Sequence, residues 1–453
     1  MNRRHFLQLL ATLGVAGCWG SYKAYATTSS AKARVLIIGG GAAGLSMAAR
    51  LNSVLETPDI TLIDPSNEQF YQPGFTMIAG GIYSPDEVKK PQSACIPSGV
   101  KWVKEKVVSI DPVTSKVKAS DGNTYVYDFL VLTPGLQMNF DQVEGVSRST
   151  LGVGNAHCMY DYQGAQNTWK ALQEFSQKGG AGVFTNTFTK LKCGGAPKKI
   201  AMLTDDYCRR NKTRDKISVT YYNASKDLFD TPYYAGRLEE IFQERDLNIC
   251  PQHRLTGVDT ASKKVFFEKA VTREVDETDE KTGLVTKVKK KETSPVIVDY
   301  DFLHFTPPMS APDFVREAEL GWTEGSLQSG SWVMVDKNTM VHKRYPNIVS
   351  LGDVAGLPTS KTSAAIRMQV PIAVTNLVAL MENRTPDALY NGYTACPIIT
   401  EYGKVLMCEF DYDKKPMPTF PLIDGAHEQW VHWLLKKYVL KPMYFHGMLN
   451  GLM

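Results

Sequence analysis

Three glycines near the start of the chain have the spacing that holds a phosphate. The pattern is GxGxxG, formed by Gly39, Gly41 and Gly44, and it directly follows a mostly apolar run from Arg34 to Ile38. A helix-forming stretch begins within the pattern, at Ala42. The first glycine allows a tight turn, the second lets the backbone approach a pyrophosphate, and the third lets helix and strand pack closely. The helix N-terminus favours the phosphate charge. The pattern predicts a dinucleotide site.

An acidic residue follows the next predicted strand. The run Ile60 to Ile63 is short and apolar, and Asp64 comes directly after it. In a strand–turn–helix–strand unit of this kind, the acid at the end of the second strand binds a ribose hydroxyl. A lone GxGxxG is a weak signal, but the flanking strand, helix and terminal acid make it specific. We therefore expect Asp64 to bind a ribose.

Two later strands end in residues that suit a flavin dinucleotide. One ends in Thr133-Pro134-Gly135 and the other in Gly352-Asp353. With the glycine loop, these segments resemble the two-dinucleotide-domain flavoproteins, a superfamily that includes the disulfide reductases. The resemblance implies FAD, with the Asp353 carboxylate at its ribityl and pyrophosphate part; Asp353 can also cap the helix that follows. The predicted FAD-binding residues of these segments are Gly39, Gly41, Ala42, Gly44, Asp64, Thr133, Gly135, Gly352 and Asp353.

The superfamily also carries a second nucleotide fold with its own glycine loop for NAD(P)H, and that loop is missing from this sequence. The stretch 181–197 contains no GxGxxG, and the next strand ends at Asn223 and Ala224, with neither acid nor arginine for an adenosine ribose. Cys193 stands in its place, before Pro197 and a helical run that opens with two lysines. Lysines and a helix N-terminus favour a thiolate. A nicotinamide therefore has no evident binding site here.

Five segments narrow the resemblance further. They are Phe70 to Pro73, Lys192 to Lys199, Phe305 to Met309, Leu357 to Thr362 and Tyr393 to Pro397. In this order and spacing they resemble the sulfide:quinone oxidoreductases, particularly the branch with the mitochondrial enzymes. The resemblance implies oxidation of sulfide to persulfide or polysulfide sulfur, with electrons passed through non-covalently bound FAD to a membrane quinone.

The same resemblance implies the catalytic residues. By motif, the two redox cysteines of the family fall on Cys193 and Cys396, and its lysine near the pyrimidine end of the flavin falls on Lys361. Hydrosulfide attacks the disulfide or sulfur-bridged pair, leaving a persulfide on one cysteine and a thiolate on the other. Cys158 occupies the region where other branches carry a third redox cysteine, and its role stays open. We expect the remaining cysteines to be buried packing residues: Cys95, Cys208, Cys250 and Cys408.

Composition excludes several classes of function. The sequence has no CxxC and only scattered histidines, so no metal site is predicted. The net charge is +4, which leaves about +1 once residues 1–26 are removed, so nucleic-acid binding is disfavoured.

Residues 1–26 resemble a twin-arginine export signal. Arg3 and Arg4 precede an apolar stretch, and Ala24-Tyr25-Ala26 is an A-x-A cleavage site. An ordinary secretory signal and lipidation at Cys18 are the alternatives. We expect an exported protein on the periplasmic face of a membrane.

The C-terminal residues 427–453 are rich in Trp, Tyr, Phe, Leu and Met beside lysines, with Pro442 between two short amphipathic segments. They suit an interfacial segment that docks the protein on a membrane near its quinone, and we expect docking rather than thiol chemistry from them. The alternative is a helix packed on the core or on a second copy, so homo-oligomerisation stays open.

A charged insert at residues 271–294 predicts a solvated hairpin without chemistry.

The predicted fold class is α/β, with two interleaved Rossmann-like domains. Residues 32–150 and 300–384 form the FAD domain, 151–299 a second domain without an NAD motif, and 385–453 the membrane-facing and quinone-facing segment. Two other flavoenzymes compete with this interpretation: the flavoprotein subunit of a flavocytochrome c sulfide dehydrogenase, and a type II NADH dehydrogenase. A flavin-bearing scaffold without turnover is the alternative from a different class.

Overall fold

The computed structural model describes residues 28–278 and 285–453. The predicted export signal, Cys18 within it, and the tip of the charged insert lie outside the described residues. The strands are β1 (Arg34–Ile38), β2 (Asp59–Ile63), β3 (Glu68–Phe70), β4 (Lys89–Pro91), β5 (Lys101–Val103), β6 (Val107–Asp111), β7 (Lys116–Ala119), β8 (Thr124–Val126), β9 (Phe129–Leu132), β10 (Gln137–Met138), β11 (Ala156–His157), β12 (Gly180–Thr185), β13 (Ile217–Asn223), β14 (Asn248–Pro251), β15 (His253–Asp259), β16 (Lys264–Thr278), β17 (Val285–Asp299), β18 (Phe302–His304), β19 (Met309–Ser310), β20 (Ile348–Ser350), β21 (Thr394–Glu401) and β22 (Lys404–Phe410).

The principal helices connect these strands or close the chain. They are α1 (Ala42–Val54), α2 (Phe75–Ala79), α3 (Tyr162–Lys178), α4 (Ala196–Arg210), α5 (Pro232–Glu244), α6 (Asp313–Glu317), α7 (Ser363–Met381) and α8 (Trp430–Leu434).

The first sheet is parallel and has the strand order β20-β9-β1-β2-β5. Its central strand β1 is buried from Val35 to Ile38, because the crossover helices of a parallel sheet cover both faces. The chain leaves β1 through the glycine loop, forms α1 and returns as β2, which pairs with β1 from Arg34↔Asp59 onwards. The strand–turn–helix prediction is confirmed.

A second parallel sheet has the strand order β11-β18-β12-β13-β14. The protein is therefore an α/β protein with two parallel Rossmann-like sheets, as the sequence predicts. β18 pairs with β11 and β12, so the second sheet extends to His304. The predicted domain boundaries, with the second domain ending at residue 299, stay predictions.

Smaller antiparallel units complete the fold. β16 and β17 pair along their whole length and form a hairpin beside β15, where the charged insert was expected. β21 and β22 form a two-stranded ribbon that lies against α4 and α8. This ribbon carries Cys396 to the helix that follows the Cys193 loop.

Among the described residues, α7 is the one helix long and apolar enough to cross a membrane. It is mostly buried in the protein and contains Pro371. Burial of this kind is typical of the core helix of an α/β domain, and α7 lies against α1.

The C-terminal segment is helical through Pro442 rather than split there, which corrects the predicted break. After α8, wide π-helical turns span Leu435–Val439 and Met443–Met448, joined by an α-helical turn at Leu440–Pro442. We call residues 430–448 the C-terminal helix. Its Tyr444 hydroxyl donates to the Phe70 carbonyl at 3.1 Å and accepts from the Gln69 amide at 2.9 Å, so the helix packs on the first domain.

Candidate active site

The glycine loop has room for a ligand at one glycine and none at the others. Gly39 has a φ of +93°, and a Cβ there would lie 2.4 Å from the Thr133 carbonyl oxygen. A Cβ on Gly44 would lie 1.8 Å from the Gly39 carbonyl oxygen, whereas a Cβ on Gly41 would meet no atom within 4 Å. The space beside Gly41, at the N-terminus of α1 and next to Ala42, is where a pyrophosphate fits.

Asp64 lies against this loop. Its carboxylate accepts hydrogen bonds from the backbone N–H groups of Gly40, at 2.6 Å, and Ser66, at 2.8 Å. Burial raises the pKa of Asp64, and the two hydrogen bonds oppose that rise. Gln92, which the sequence analysis missed, donates to the Gly40 carbonyl at 2.8 Å, and its buried Oε1 has no partner among the described residues. The Gln92 Oε1 atom is thus an acceptor that a ribose hydroxyl bound at this loop could satisfy. Ribose binding by Asp64 itself stays a prediction.

The remaining predicted FAD-binding residues lie at the same edge of the first sheet, because parallel strands end together there. The Thr133 hydroxyl donates to the Ile38 carbonyl at 2.9 Å. Gly135 has a φ of +76° and open space at its Cβ position. Gly352 has a φ of +75°, and the next residue, Asp353, lies 3.8 Å from the Lys192 ammonium. The residues at this edge fit a dinucleotide. Gly41 and Gly135 leave open space, the Gln92 Oε1 atom has no partner among the described residues, and Asp353 supplies a carboxylate.

Lys361 is buried, with its ammonium 2.9 Å from the Ala355 carbonyl oxygen and 3.8 Å from the ring centre of Trp332. Burial lowers the pKa of Lys361 to about 7, against which the Asp353 charge acts. Trp332 carries no sequence signal that predicts this contact. The position of Lys361 relative to a flavin stays a prediction.

The structure brings Cys193 and Cys396 together. Their sulfur atoms are 3.4 Å apart, although the residues are 203 positions apart in sequence. Cys193 adopts a left-handed backbone conformation, with a φ of +50°, in the loop between β12 and α4. Cys396 is buried on β21, and a Cβ on Gly195 would lie 2.8 Å from its sulfur. The close approach of ribbon and loop therefore requires a glycine at position 195.

The surroundings shift the pKa values of the two cysteines in opposite directions. The Cys193 sulfur lies 3.4 Å from the Cys396 sulfur, where either thiol can donate, and it accepts a hydrogen bond from the Lys199 ammonium, also at 3.4 Å. The hydrogen bond with Cys396 holds the pKa of Cys193 well below its ordinary range, against its burial, and the charges of Lys199 and Lys436 add to the effect. The pKa of Cys396 is raised by the same hydrogen bond and by burial. Of the two thiols, Cys193 therefore has the lower pKa and Cys396 the higher one.

Two buried lysines, Lys198 and Lys199, lie in the first turn of α4, beside this cysteine pair. Lys198 donates to the Gly194 carbonyl at 3.0 Å and to the Tyr221 hydroxyl at 3.3 Å, and burial lowers its pKa to about 8. Burial also acts to lower the pKa of Lys199, but the two neighbouring sulfurs outweigh it and the pKa is raised. Charged lysines in a dry site strengthen the attraction for anionic sulfur.

Cys158 is buried at the end of β11, and burial raises its pKa to about 12. In the described part of the chain, no hydrogen bond joins it to Cys193 or Cys396, so its role stays open.

Cys408 lies directly opposite Cys396 on β22 and is buried, and burial raises its pKa as well. Cys95 and Cys208 are buried as expected, whereas Cys250 is only half-buried. Within residues 28–278 and 285–453, no group of acidic, histidine or cysteine side chains could hold a metal.

The end of β13, where a nicotinamide-binding domain would carry its acid or arginine, is occupied by hydrogen bonds within the protein. The Asn223 side chain accepts from the Asn186 amide at 2.7 Å and donates to the carbonyls of Ser225 and Asp227. A buried amide that is satisfied in this way offers little to a ribose.

Several known proteins are similar to this chain over most of its length. The family model for pyridine nucleotide-disulphide oxidoreductases matches residues 33–180. The chain is 32% identical over 417 residues to the mitochondrial sulfide:quinone oxidoreductase of Mus musculus, covering 92% of this chain and 86% of the relative. It is 34% identical over 419 residues to the mitochondrial enzyme of Dictyostelium discoideum, with the same coverage. The chain belongs to the sulfide:quinone oxidoreductase family.

A solved sulfide:quinone oxidoreductase has the same fold. The crystal structure of the enzyme from Aquifex aeolicus superposes with a TM-score of 0.70 at 21% sequence identity, covering 93% of this chain and 92% of that one. Membership of this family makes the protein an FAD-dependent oxidoreductase of sulfide and quinone.

Sequence reasoning missed two side chains of this sulfide:quinone oxidoreductase site. The Tyr160 hydroxyl is buried without a hydrogen-bond partner among the described residues, and charges on Cys193 and Cys396 contribute to raising its pKa, after burial. Lys436, on the C-terminal helix, is buried, and its charge contributes to lowering the pKa of Cys193. Neither residue carries a sequence signal for this placement, and lysines in an amphipathic stretch such as the one with Lys436 ordinarily face solvent.

Proposed function

We propose that this protein oxidises sulfide to persulfide or polysulfide sulfur at the Cys193–Cys396 pair and delivers the electrons through FAD to a membrane quinone. The observation that carries the proposal is the 3.4 Å contact between the two sulfurs, with the Lys199 ammonium 3.4 Å from one of them. Two thiols from distant parts of the chain, one held as a thiolate by lysines, form a dithiol that can open and close by thiol–disulfide exchange.

The difference between the two sulfurs supports a direction for sulfide attack. In thiol–disulfide exchange, the sulfur with the lower thiol pKa is the better leaving group. Hydrosulfide therefore attacks the Cys396 sulfur of the oxidised pair, the S–S bond breaks, and Cys193 leaves as the thiolate beside Lys199. Cys396 then carries the persulfide. An acceptor removes the outer sulfur, and the two cysteine sulfurs re-form their bond as two electrons depart.

The glycine loop, Asp64 and Asp353 would hold FAD, which, when bound, accepts those two electrons and passes them to the quinone. Lys192 links this edge to the cysteine loop. Its ammonium lies 3.8 Å from Asp353 and donates to the Gln72 side chain, and the next residue is Cys193. The chain's own contacts thus fix the thiolate loop relative to the cofactor edge. Lys361, buried at the same edge, would supply a positive charge there.

The C-terminal helix supports docking on a membrane. One side packs on the protein through Tyr444 and Phe445, whereas Trp430 and Tyr438 are more than half exposed, next to Lys437. Exposed aromatic rings beside lysines suit the interface of a lipid bilayer, where a lipid-borne quinone is reached. Residues 1–26 resemble a twin-arginine export signal, and we propose on that resemblance that the protein works at the periplasmic face.

Anaerobic mixing of the purified, FAD-loaded protein with sulfide and, separately, with NADH tests this function. Sulfide should bleach the flavin absorbance rapidly, because the dithiol is built for hydrosulfide. NADH should not, because the Asn223 side chain is occupied by hydrogen bonds within the protein and residues 181–197 contain no GxGxxG loop. Re-oxidation by a short-chain quinone should follow. Rapid bleaching by NADH, or none by sulfide, would contradict the proposal.

A further inference from the structure

The loop after Cys193 has a backbone carbonyl that a side chain holds in place of the backbone. The Cys193 carbonyl accepts from the Ala196 N–H at 2.8 Å, but among the described residues no backbone N–H donates to the Gly194 carbonyl. The Lys198 side chain donates to it instead, at 3.0 Å. Side chains in the first turn of a helix point back towards the helix N-terminus, so a lysine at position 198 reaches this carbonyl. Lys198 therefore fixes the peptide group between Gly194 and Gly195.

Lys198 is itself anchored on a buried tyrosine of the second sheet. Its Nζ atom donates to the hydroxyl of Tyr221, on β13, at 3.3 Å. Tyr221 is fully buried and Lys198 is only 2% exposed. The hydrogen bonds of this lysine go to two neutral oxygen atoms rather than to a carboxylate, and burying a lysine in this way is costly. The three groups form a bridge from the sheet to the cysteine loop, which we call the Lys198 bridge.

The Lys198 bridge does not depend on the charge of its lysine. Burial lowers the pKa of Lys198 to about 8, so the side chain is partly neutral in mildly alkaline solution. An ammonium donates to both oxygen atoms. A neutral amine still donates to the Gly194 carbonyl and accepts a hydrogen bond from the Tyr221 hydroxyl. The loop is therefore tied to β13 on both sides of this pKa.

The peptide group that Lys198 fixes lies between the two cysteines. On one side is Gly195, where a Cβ would lie 2.8 Å from the Cys396 sulfur, so this residue packs directly on that sulfur. On the other side is Cys193, whose φ of +50° is unfavourable for a residue with a side chain and has to be held by neighbouring contacts. A loop that could relax would not keep the two sulfurs at 3.4 Å.

We infer that Lys198, anchored on Tyr221, is a positioning residue that holds the Cys193 loop against Cys396 and so favours the bond between their sulfurs. The inference rests on the proposed cysteine mechanism and deepens it. The second sheet, which lacks a glycine loop for a nucleotide, supports the dithiol instead. When one thiol is held beside the other, closure of the disulfide is favoured by a high effective concentration.

The test measures the equilibrium between dithiol and disulfide in the FAD-loaded enzyme. The protein is reduced with a phosphine, freed of it, and equilibrated without oxygen in buffers of reduced and oxidised glutathione. Closure consumes one oxidised glutathione: the Cys193 thiolate attacks it and releases one glutathione, and Cys396 attacks the mixed disulfide and releases the second. Acid quenching, alkylation and mass spectrometry of the two cysteine peptides give the disulfide fraction. A residue that only stabilises the fold would not change this fraction in the folded protein.

Three variants break the Lys198 bridge: Lys198→Met, Tyr221→Phe and the double variant with both changes. The matched control is Tyr222→Phe, which removes a hydroxyl from the next residue of β13, whose ring stacks on Phe267 at a centroid distance of 4.4 Å. Bound FAD and thermal unfolding verify that each variant is folded.

We expect Lys198→Met to lower the equilibrium constant for disulfide formation about tenfold, which corresponds to the loss of about one hydrogen bond. Tyr221→Phe should lower it about threefold, and the double variant should match Lys198→Met, because both changes break the same bridge. Tyr222→Phe should match the wild type.

An unchanged constant in Lys198→Met, or effects that multiply in the double variant, would overturn the inference. If Lys198→Met does not fold, Tyr221→Phe decides, and a wild-type constant in that variant overturns the inference equally. These outcomes leave the proposed function untouched, because it is tested separately by the reaction of sulfide with serine variants of the two cysteines.

Discussion

The backbone N–H of Cys193 donates a 3.1 Å hydrogen bond to the carbonyl oxygen of Lys361. Lys361 follows the last strand of the first sheet, and Cys193 follows a strand of the second sheet. One hydrogen bond thus joins the loop of the redox cysteine to the lysine predicted to face the flavin. This contact holds the loop with Cys193 next to the predicted cofactor edge of the first sheet.

Substitution of Lys361 by methionine should leave FAD bound but slow its reduction by sulfide about a hundredfold, because a buried cation no longer stabilises the negative charge that reduction adds. Anaerobic stopped-flow absorbance with sulfide measures the rate. Lys343→Met, which removes a lysine away from the site, is the matched control. A wild-type rate in Lys361→Met would separate this lysine from the flavin chemistry.

Two glycines of the loop should respond differently to substitution. Gly41→Val places its side chain in open space, so the protein should fold normally and lose FAD. Gly44→Val would drive a side chain into the Gly39 carbonyl, so the protein should be strongly destabilised. Thermal unfolding and the flavin-to-protein absorbance ratio distinguish the two. Retention of FAD by Gly41→Val would show that the pyrophosphate does not bind beside Gly41.

The bound FAD should be released by denaturation, because none of the residues Tyr71, Gln72 and Pro73 offers a thiol for a covalent link. Acid precipitation followed by centrifugation checks this expectation. Flavin colour should appear in the supernatant. Colour that remains on the precipitated polypeptide would favour the flavocytochrome interpretation instead.

Two buried histidines predict loss of stability in mild acid. Burial lowers the pKa of His157 to about 4 and that of His304 to about 3, against 6.5 for an unperturbed histidine. The unfolded chain therefore binds more protons than the folded one below about pH 6.5, and stability falls as the pH drops towards 4, by roughly 3 kcal/mol for His157 alone. Thermal unfolding midpoints of the wild type and His157→Phe should converge in this window. Parallel curves for the wild type and His157→Phe would contradict this assignment.

Much of the fold was predictable from local patterns. The apolar run before Gly39 and the acid at Asp64 define one supersecondary unit, and the structure has it there. The end of the second sheet was not predictable, because β18 is a strand of three residues whose partner is decided by long-range pairing.

The candidate site was also predictable only where a local sequence pattern marks it. The motif around Cys193 is local, and its nearness to Cys396 followed from a family resemblance rather than from spacing. Lys436 was not predictable, because only tertiary packing decides that a lysine of an amphipathic helix is buried. Gln92 likewise has its partner, Gly40, far away in sequence.

The central claim is that the dithiol, and not the flavin alone, oxidises sulfide. Its most direct test is the anaerobic reaction of sulfide with FAD-loaded Cys193→Ser and Cys396→Ser, next to Cys250→Ser as a control that changes a cysteine away from the pair. Serine cannot exchange with a disulfide, so both pair variants should keep FAD bound and show no rapid bleaching, while Cys250→Ser should bleach like the wild type. Near-wild-type bleaching by either the Cys193 or the Cys396 variant would contradict the mechanism.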